Sequence, residues 1–378
     1  MRASAPALVT IPPSITFYPG AAAAGSKMAG LPATGGVYRI VPPSGESHIS
    51  SSRNLPRRVQ RLLRTFQSSI SHIECWPAVS RLEMLLTLYA VTRSCFPADY
   101  AQRLRLKMPW FVRLSESDSF PQLLLTNRIP SNNDCVLGPF AGRDFAQAFQ
   151  EKVEALFQLR RCPGKLVPAP DHPGCIYGEM NQCLRPCQGA VSAEEYATEV
   201  KRTLEFLVAE GRTTLSALTV ARERASSKMD FEEASQIHRR LEKVKEAISL
   251  RDAIVSEVHG FSGVALTPAF EPGSCFLRPM FRGCWQQPIL LDVSARAESR
   301  QSMDVIVREE LEKVLSHPET ITDPLEHLAL FSRWYRSSWC DGEWFPFKTL
   351  QSLDYRKLVR RISKLTRPEP RPADQTSA

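Results

Sequence analysis

The alternation of apolar and polar positions predicts a chain of mixed strands and helices. "GGVYRIVP" (35–42) alternates with the period of a strand. A helix is expected at about 55–67, where "RRVQRLLR" has helical spacing, and "RLEMLLTLYAVTRS" (81–94) carries an apolar helical period. "WFVRLSE" and "PQLLLTNRI" (110–116 and 121–129) read as a strand pair joined by the polar "SDSF". "LGPFAGRDFAQAFQEKVEALFQLRRC" then passes from a Gly/Pro turn into a helix that ends near Cys162. Beyond Cys187 the pattern is helical. "SAEEYATEVKRTLEFLVAEG" opens on a capping box formed by Ser192 and Glu195, and Gly211 suits its end. "DFEEASQIHRRLEKVKEAISL" starts at Asp230 with Glu233 three positions on. Its apolar residues Phe231, Ala234, Ile237, Leu241, Val244 and Ile248 recur at steps of three or four and form one stripe. With "TTLSALTVARERASSKM" before it, this predicts an antiparallel helical hairpin whose apolar stripe needs a partner inside or outside the chain.

From about 253 the runs shorten. "AIVSEVHGFSGVALTPAF", "SCFLRPMF" and "QPILLDVSAR" are strand-like, whereas "MDVIVREELEKVLSH" and "PLEHLALFSRWYRSSW" are helical. "RKLVRRISKLTRPEPRPADQTSA" predicts a basic helix followed by a disordered tail, and no internal repeat is visible.

With 378 residues, two to four modules are expected. No apolar run is long enough for a transmembrane helix. Two prolines break "LVTIPPSITF", so the N-terminus lacks a signal-peptide pattern; a cytoplasmic location is expected. A formal net charge of +8 favours an anionic partner. The charge is concentrated in "RNLPRRVQRLLR", where Arg53, Arg57, Arg58, Arg61 and Arg64 can share a helix face. Phosphate contact and a merely solvated face are both open readings of that face.

Six of the ten cysteines, Cys75, Cys95, Cys135, Cys275, Cys284 and Cys340, stand apart and read as buried small residues. The other four, Cys162, Cys175, Cys183 and Cys187, are separated by 12, 7 and 3 residues. Four thiolates can bind zinc, but zinc sites usually use CxxC-like pairs and none exists here. They can also hold an iron–sulfur cubane, whose larger size tolerates irregular spacing. A third reading is that they bind no metal. Pro163, Pro173 and Pro186 stiffen the loops between them.

"LRRCPGKLVPAPDHPGCIYGEMNQCLRPCQGAVSAEEYATEVKRTLEFL" closely resembles the cysteine-rich segment of the UvrC excinuclease family of bacterial nucleotide excision repair. "SSKMDFEEASQIHRRLEKV" resembles the UVR motif that follows it there, and the likeness extends over roughly residues 30–250. It implies a [4Fe–4S] cluster on Cys162, Cys175, Cys183 and Cys187, with zinc or no metal as alternatives. It also implies docking of UvrB on Phe231, Ala234, Ile237 and Leu241.

The N-terminal region looks like a degenerate GIY-YIG nuclease domain. "LPATGGVYRI" matches the first half-motif and keeps Tyr38. "HISSSRNLPRRV" stands where the family has roughly "YVGKARNLRKRV", so His48 replaces the tyrosine and Ser50 and Ser51 replace the glycine and lysine. The family's catalytic arginine falls on Arg58, and a second active-site tyrosine on Leu62. The metal-binding glutamate falls on Leu88, while Glu83 matches only an earlier glutamate of that motif. Leucine cannot hold a divalent ion, so the charge developing on a phosphate in cleavage would go uncompensated.

The expected fold class is α+β and multidomain. The expected segments are a disordered extension (1–28), a degenerate GIY-YIG-like α/β domain (29–105), a strand pair with a linking helix (106–150) and a Cys-rich loop module (151–190). A helical region with the UVR hairpin (191–252), a small α+β domain (253–362) and a disordered tail (363–378) follow. Residues after 253 carry neither a carboxylate triad on a strand nor Gly-rich hairpins, the marks of the family's other nuclease region. The expected function is a repair-associated protein that binds DNA or UvrB without incision. The alternatives are a weak endonuclease using His48, Arg58 and Glu83, and an iron–sulfur redox-sensing regulator. No membrane is expected as a partner.

Overall fold

The computed structural model describes residues 14–18, 30–66, 69–115, 119–130, 134–294, 301–318 and 324–367. The first part of the chain forms an antiparallel sheet of β1 (Ile15–Phe17), β2 (Gly35–Val41), β3 (His48–Ser52) and β4 (His72–Ala78), in the order β1-β4-β2-β3. Helix α1 (Leu55–Thr65) covers one face. Its Leu55, Val59, Leu62 and Leu63 pack with Tyr38, Ile73 and Cys75. Asn54 caps it by accepting a hydrogen bond from the Arg57 N–H at 3.0 Å. Helix α2 (Arg81–Cys95) covers the other face, where Met84 and Leu88 pack with Val37, Trp76 and Val91. The short α3 (Tyr100–Arg103) follows. Gly36 lets β2 approach β4 closely: a Cβ there would lie 2.3 Å from the Trp76 carbonyl oxygen.

The middle part holds β5 (Trp110–Leu114), β6 (Leu123–Thr126), β7 (Cys135–Phe140), α4 (Arg143–Glu154), α5 (Ile176–Glu179), α6 (Ala193–Val208), α7 (Arg212–Ser227), α8 (Phe231–Ser249) and β8 (Ser256–Glu257). The strands form one antiparallel sheet in the order β6-β5-β7-β8. Phe149 and Val153 of α4, Tyr196 and Phe206 of α6, and Val244 and Ala247 of α8 share its core with Val112 and Leu137.

The last part holds β9 (Gly263–Pro268), β10 (Ser274–Phe281), β11 (Cys284–Trp285), β12 (Ile289–Asp292), α9 (Met303–Ser316), α10 (Pro324–Tyr335), β13 (Glu343–Pro346) and α11 (Tyr355–Leu365). The sheet order is β11-β10-β9-β13, with β12 also paired to β10. Helices α9 and α11 supply Ile306, Leu311, Leu358 and Ile362 to its core.

The segments expected from the sequence gather into two units. One joins the residues up to Lys107 with those from Ser262 onward; the other is Met108–Phe261. Residues 253–261, expected with the C-terminal domain, thus go with the middle unit, because β8 pairs with β7 there. The first unit is tied across a long sequence gap. Arg278, 1% exposed, donates from Nε to Glu83 Oε1 at 2.9 Å. The Tyr89 and Tyr100 hydroxyls both donate to Glu326, which also pairs with Arg93 at 3.4 Å. His327 is buried beside this group and accepts from the Trp285 N–H at 2.9 Å.

Within the expected disordered extension, Ile15–Phe17 is ordered as an edge strand, a correction to the 1–28 reading. The reason is local: Ile15 and Phe17 alternate with Thr16, and Phe17 is buried in the α1-side core. Residues 1–13 and 19–28 of that extension, and 368–378 of the expected tail, lie outside the described residues. Among the described residues no helix is long and apolar enough to cross a membrane.

Candidate functional site

The nuclease-like positions of the first sheet are engaged in packing and in one another. Tyr38 is 1% exposed, and its hydroxyl accepts from Arg58 Nε at 2.9 Å. The Arg58 guanidinium also lies over the Tyr38 ring, 5.5 Å from its centroid. Ser50 is opposite Tyr38 in the β2–β3 register, and His48, exposed, is opposite Ile40. Leu62 is buried in the core on the Tyr38 face. Leu88 packs on the opposite face of the sheet. Glu83 is consumed by Arg278 and by the start of α2, where its N–H is capped by Ser80 at 3.0 Å. The sheet therefore brings Tyr38 and Arg58 together but leaves Glu83 and Leu88 elsewhere.

The outer face of α1 and the residue before its cap are different. Arg53, Arg57, Arg61 and Arg64 are exposed, and among the described residues none of their guanidinium groups has an ion pair or hydrogen bond. The buried Leu55, Val59, Leu62 and Leu63 turn the helix arginines outward, because apolar and charged positions interleave with the helical period. Only Arg58 is drawn inward.

In the middle unit the cysteine loop hangs from a buried arginine. Arg160 is 1% exposed and donates from Nε to the Phe120 carbonyl at 2.6 Å. From Nη1 it donates to the Cys162 carbonyl at 2.8 Å and the Gly164 carbonyl at 2.9 Å, and it comes within 3.8 Å of Cys162 Sγ. The Tyr196 hydroxyl accepts the Arg160 N–H at 2.8 Å and donates to the Pro121 carbonyl at 2.7 Å. The Arg185 N–H points at Cys183 Sγ at 3.4 Å, with Arg185 in the left-handed region. The Cys187 carbonyl accepts from the Ala169 N–H at 2.9 Å, which draws the 162–175 loop toward the 183–187 turn.

Cys183 and Cys187 are buried, Cys162 is half-buried and Cys175 is exposed; all four are free thiols. Burial first, and then the other three thiols, push the Cys183 thiol up, while the Arg185 N–H opposes the shift. Burial and the thiols of Cys162 and Cys175 likewise push Cys187 up. Among the described residues no group of three or more His, Cys, Asp or Glu side chains is gathered as a metal ion requires, the four clustered cysteines included.

The α7–α8 hairpin is half sunk. At its root Leu241, Val244 and Ala247 are at most 2% exposed, and Val244 and Ala247 join the core of the middle unit. Leu241, expected on the docking face, is thus covered by the chain itself. The tip is bare: Met229 is 77% and Phe231 71% exposed, with Ala234 and Ile237 half-buried behind them.

The family model described as "UvrC/Cho excinuclease, middle domain" matches residues 109–206, which hold β5 to α6 and all four clustered cysteines. The chain is UvrC-like. It is 27% identical to a UvrABC system protein C of Oleidesulfovibrio alaskensis over 63% of this chain and 36% of that protein. It is 30% identical to one of Leptospira biflexa over 53% of this chain and 33% of that protein, and 26% identical to one of Psychrobacter arcticus over 54% and 35%. The match thus spans about a third of the length of these relatives. No solved structure matches the chain. Arg160 and Tyr196 are the residues of this UvrC-like segment that the sequence did not single out. Their one signal was an arginine and a tyrosine set within otherwise apolar core positions, Leu159 and Phe206 among them.

Proposed function

We propose that the chain is a DNA-binding accessory of UvrABC-type nucleotide excision repair that grips phosphates through α1 and does not cut. The observation that carries this reading is the contrast on the first sheet. Four arginines on and just before α1 face outward without counter-ions among the described residues, while the positions a metal-dependent nuclease needs are spent on packing: Leu62 in the core, Leu88 on the far face, and Glu83 on Arg278. Phosphate binding needs only the cations. Cleavage also needs a carboxylate-held ion beside the scissile phosphate, and the carboxylate of the weak-nuclease reading, Glu83, is already committed to Arg278.

In this reading Cys162, Cys175, Cys183 and Cys187 hold a [4Fe–4S] cluster. What supports a cluster over zinc is the family-like spacing of the four cysteines and the lack of a CxxC pair among them. When bound, such a cluster supplies a rigid crosslink and a redox centre. Arg160 orients the Cys162 loop, and the Arg185 N–H steadies the Cys183 sulfur. The hairpin tip around Phe231 docks UvrB, its exposed apolar groups being the part of the stripe the chain leaves uncovered.

The test is incubation of the purified protein with nicked, damaged and supercoiled DNA in Mg2+ and Mn2+, alongside a binding titration. Binding without strand scission is the expected result. Scission that disappears in Arg58→Ala would establish the nuclease reading instead.

A further inference from the structure

A second cationic feature belongs to the middle unit. The residues just after α4 and the middle of α8 line an open notch of about 440 Å³, made by Ala155, Leu156, Gln236, Arg239, Arg240 and Lys243. We propose that this notch binds the phosphodiester backbone of nucleic acid, with Arg239, Arg240 and Lys243 as the charge and Gln236 as an added hydrogen-bond donor. The proposal rests on the DNA-binding reading above and adds a second contact, on the other unit.

Every charged group lining the notch is a cation. Among the described residues none of the three has an ion pair or hydrogen bond. The neighbouring carboxylates are already taken: Glu246 by Lys152 at 2.7 Å, Glu242 by Lys245 at 2.8 Å, and Glu154 by Gln150 at 2.8 Å and Arg161 at 3.5 Å. Glu232 lies a helical turn before Gln236, at the start of α8. Three like charges held together repel, and an anion between them relieves that repulsion. On a convex helix face water does this. Here the three exposed cations line one open notch together with Ala155 and the half-buried Leu156, so a single anion chain can meet all of them.

Positions 236, 239, 240 and 243 share one face of α8 and span about 10 Å at 1.5 Å per residue, a strip longer than a single phosphate. Guanidinium groups match phosphate oxygens in a bidentate fork. An acidic peptide is the competing ligand. A peptide helix docks largely through apolar anchors, and the notch offers only an alanine and one half-buried leucine. A phosphodiester chain draws its affinity from charge and counterion release, which the notch supplies.

The experiment measures binding of a fluorescent DNA duplex to the full chain by anisotropy across a salt series. It compares wild type, the triple variant Arg239→Gln/Arg240→Gln/Lys243→Gln, and the α1 variant Arg53→Gln/Arg57→Gln/Arg61→Gln/Arg64→Gln. Each lost phosphate contact lowers the log–log salt slope by about 0.9, so the triple variant should lose roughly 2–3 units of slope. Affinity at low salt should fall about ten- to a hundredfold, with an unchanged melting temperature because all three side chains are exposed. Hydrogen exchange over 236–243 should slow when DNA is added. If the triple variant keeps the wild-type slope while the α1 variant loses binding, the notch is not a contact and the DNA-binding reading stands. If wild type binds no duplex, both fail. If poly-glutamate displaces DNA at equal charge concentration and protects 236–243 equally, the notch is an acidic-protein site and the proposal is overturned.

Discussion

The first sheet and the cysteine loop both sit where a family resemblance places chemistry, yet they use their polar residues in opposite ways. On the sheet, motif residues are turned inward and satisfied by the protein itself. Arg58 bonds Tyr38, Glu83 bonds Arg278, and Leu62 and Leu88 fill space on opposite faces. In the loop, the protein's own donors point at the reactive groups: the Arg185 N–H at Cys183 Sγ, and Arg160 at Cys162. A polar group whose bonds are completed by its own chain is part of the architecture. In the proposed reading, the four cysteines are instead kept for a cofactor.

Four measurements on stability and metal content, and one on docking, break or sharpen that contrast. Cys183→Ser should have the largest effect. Iron in anaerobically prepared protein should fall from about four atoms per chain, the content of one cubane, to near none. The loop should then become protease-sensitive, since cluster binding is coupled to local folding; stoichiometric zinc without iron in wild type would break the comparison on this side. Glu83→Gln should come next. It strands the buried Arg278 and costs about 3–5 kcal/mol in urea unfolding, and a small cost would return Glu83 to the catalytic candidates.

The third measurement is a pH series on the same unit. Burial, and then Arg93, lower His327 to about 3. The unfolded chain takes up that proton near 6.5, so between these values it binds more protons than the folded one. The stability this histidine contributes is complete above about pH 6.5 and falls as pH drops toward 3, by up to about 1.4 kcal/mol per pH unit. His327→Gln should flatten that slope in a chemical-denaturation series. Tyr38→Phe removes one partly buried hydrogen bond and should cost about 1 kcal/mol, with DNA affinity unchanged; a large loss of binding would mean that Tyr38 and Arg58 still act on the phosphate. Phe231→Asp should leave the melting temperature where it was, because the side chain is 71% exposed. It should abolish pull-down of UvrB, and unchanged pull-down would remove the hairpin tip from the docking reading.

The sequence made the amphipathic elements legible. The helical periods of α1, α6 and α8 are written in their residues, and so are the caps at Ser192 and Asp230. Elements without alternation were not legible. β7, "CVLGPF", is buried at every position, so it has no polar face to mark it, and its Gly138–Pro139 pair reads as a turn. β4 is interrupted by Pro77 and carries buried Cys75 and Trp76 on opposite faces. The cysteine grouping was visible as spacing. The role of Arg160 was not, because a buried arginine bonded to loop carbonyls leaves no periodic trace. Nor was the pairing of Glu83 with Arg278, which are 195 positions apart and speak only through the folded core.

That last separation bears on how the protein is made. The first unit is discontinuous: its two parts flank Met108–Phe261. During synthesis at roughly 5–20 residues per second, the first sheet waits about 10 to 40 seconds for the strand that brings Arg278. Meanwhile Glu83, Tyr89 and Tyr100 lack their partners, and the middle unit can close around β7 and β8 on its own. The ties of Glu83, Tyr89 and Tyr100 to Arg278 and Glu326 are therefore made only after the whole middle unit has been synthesised.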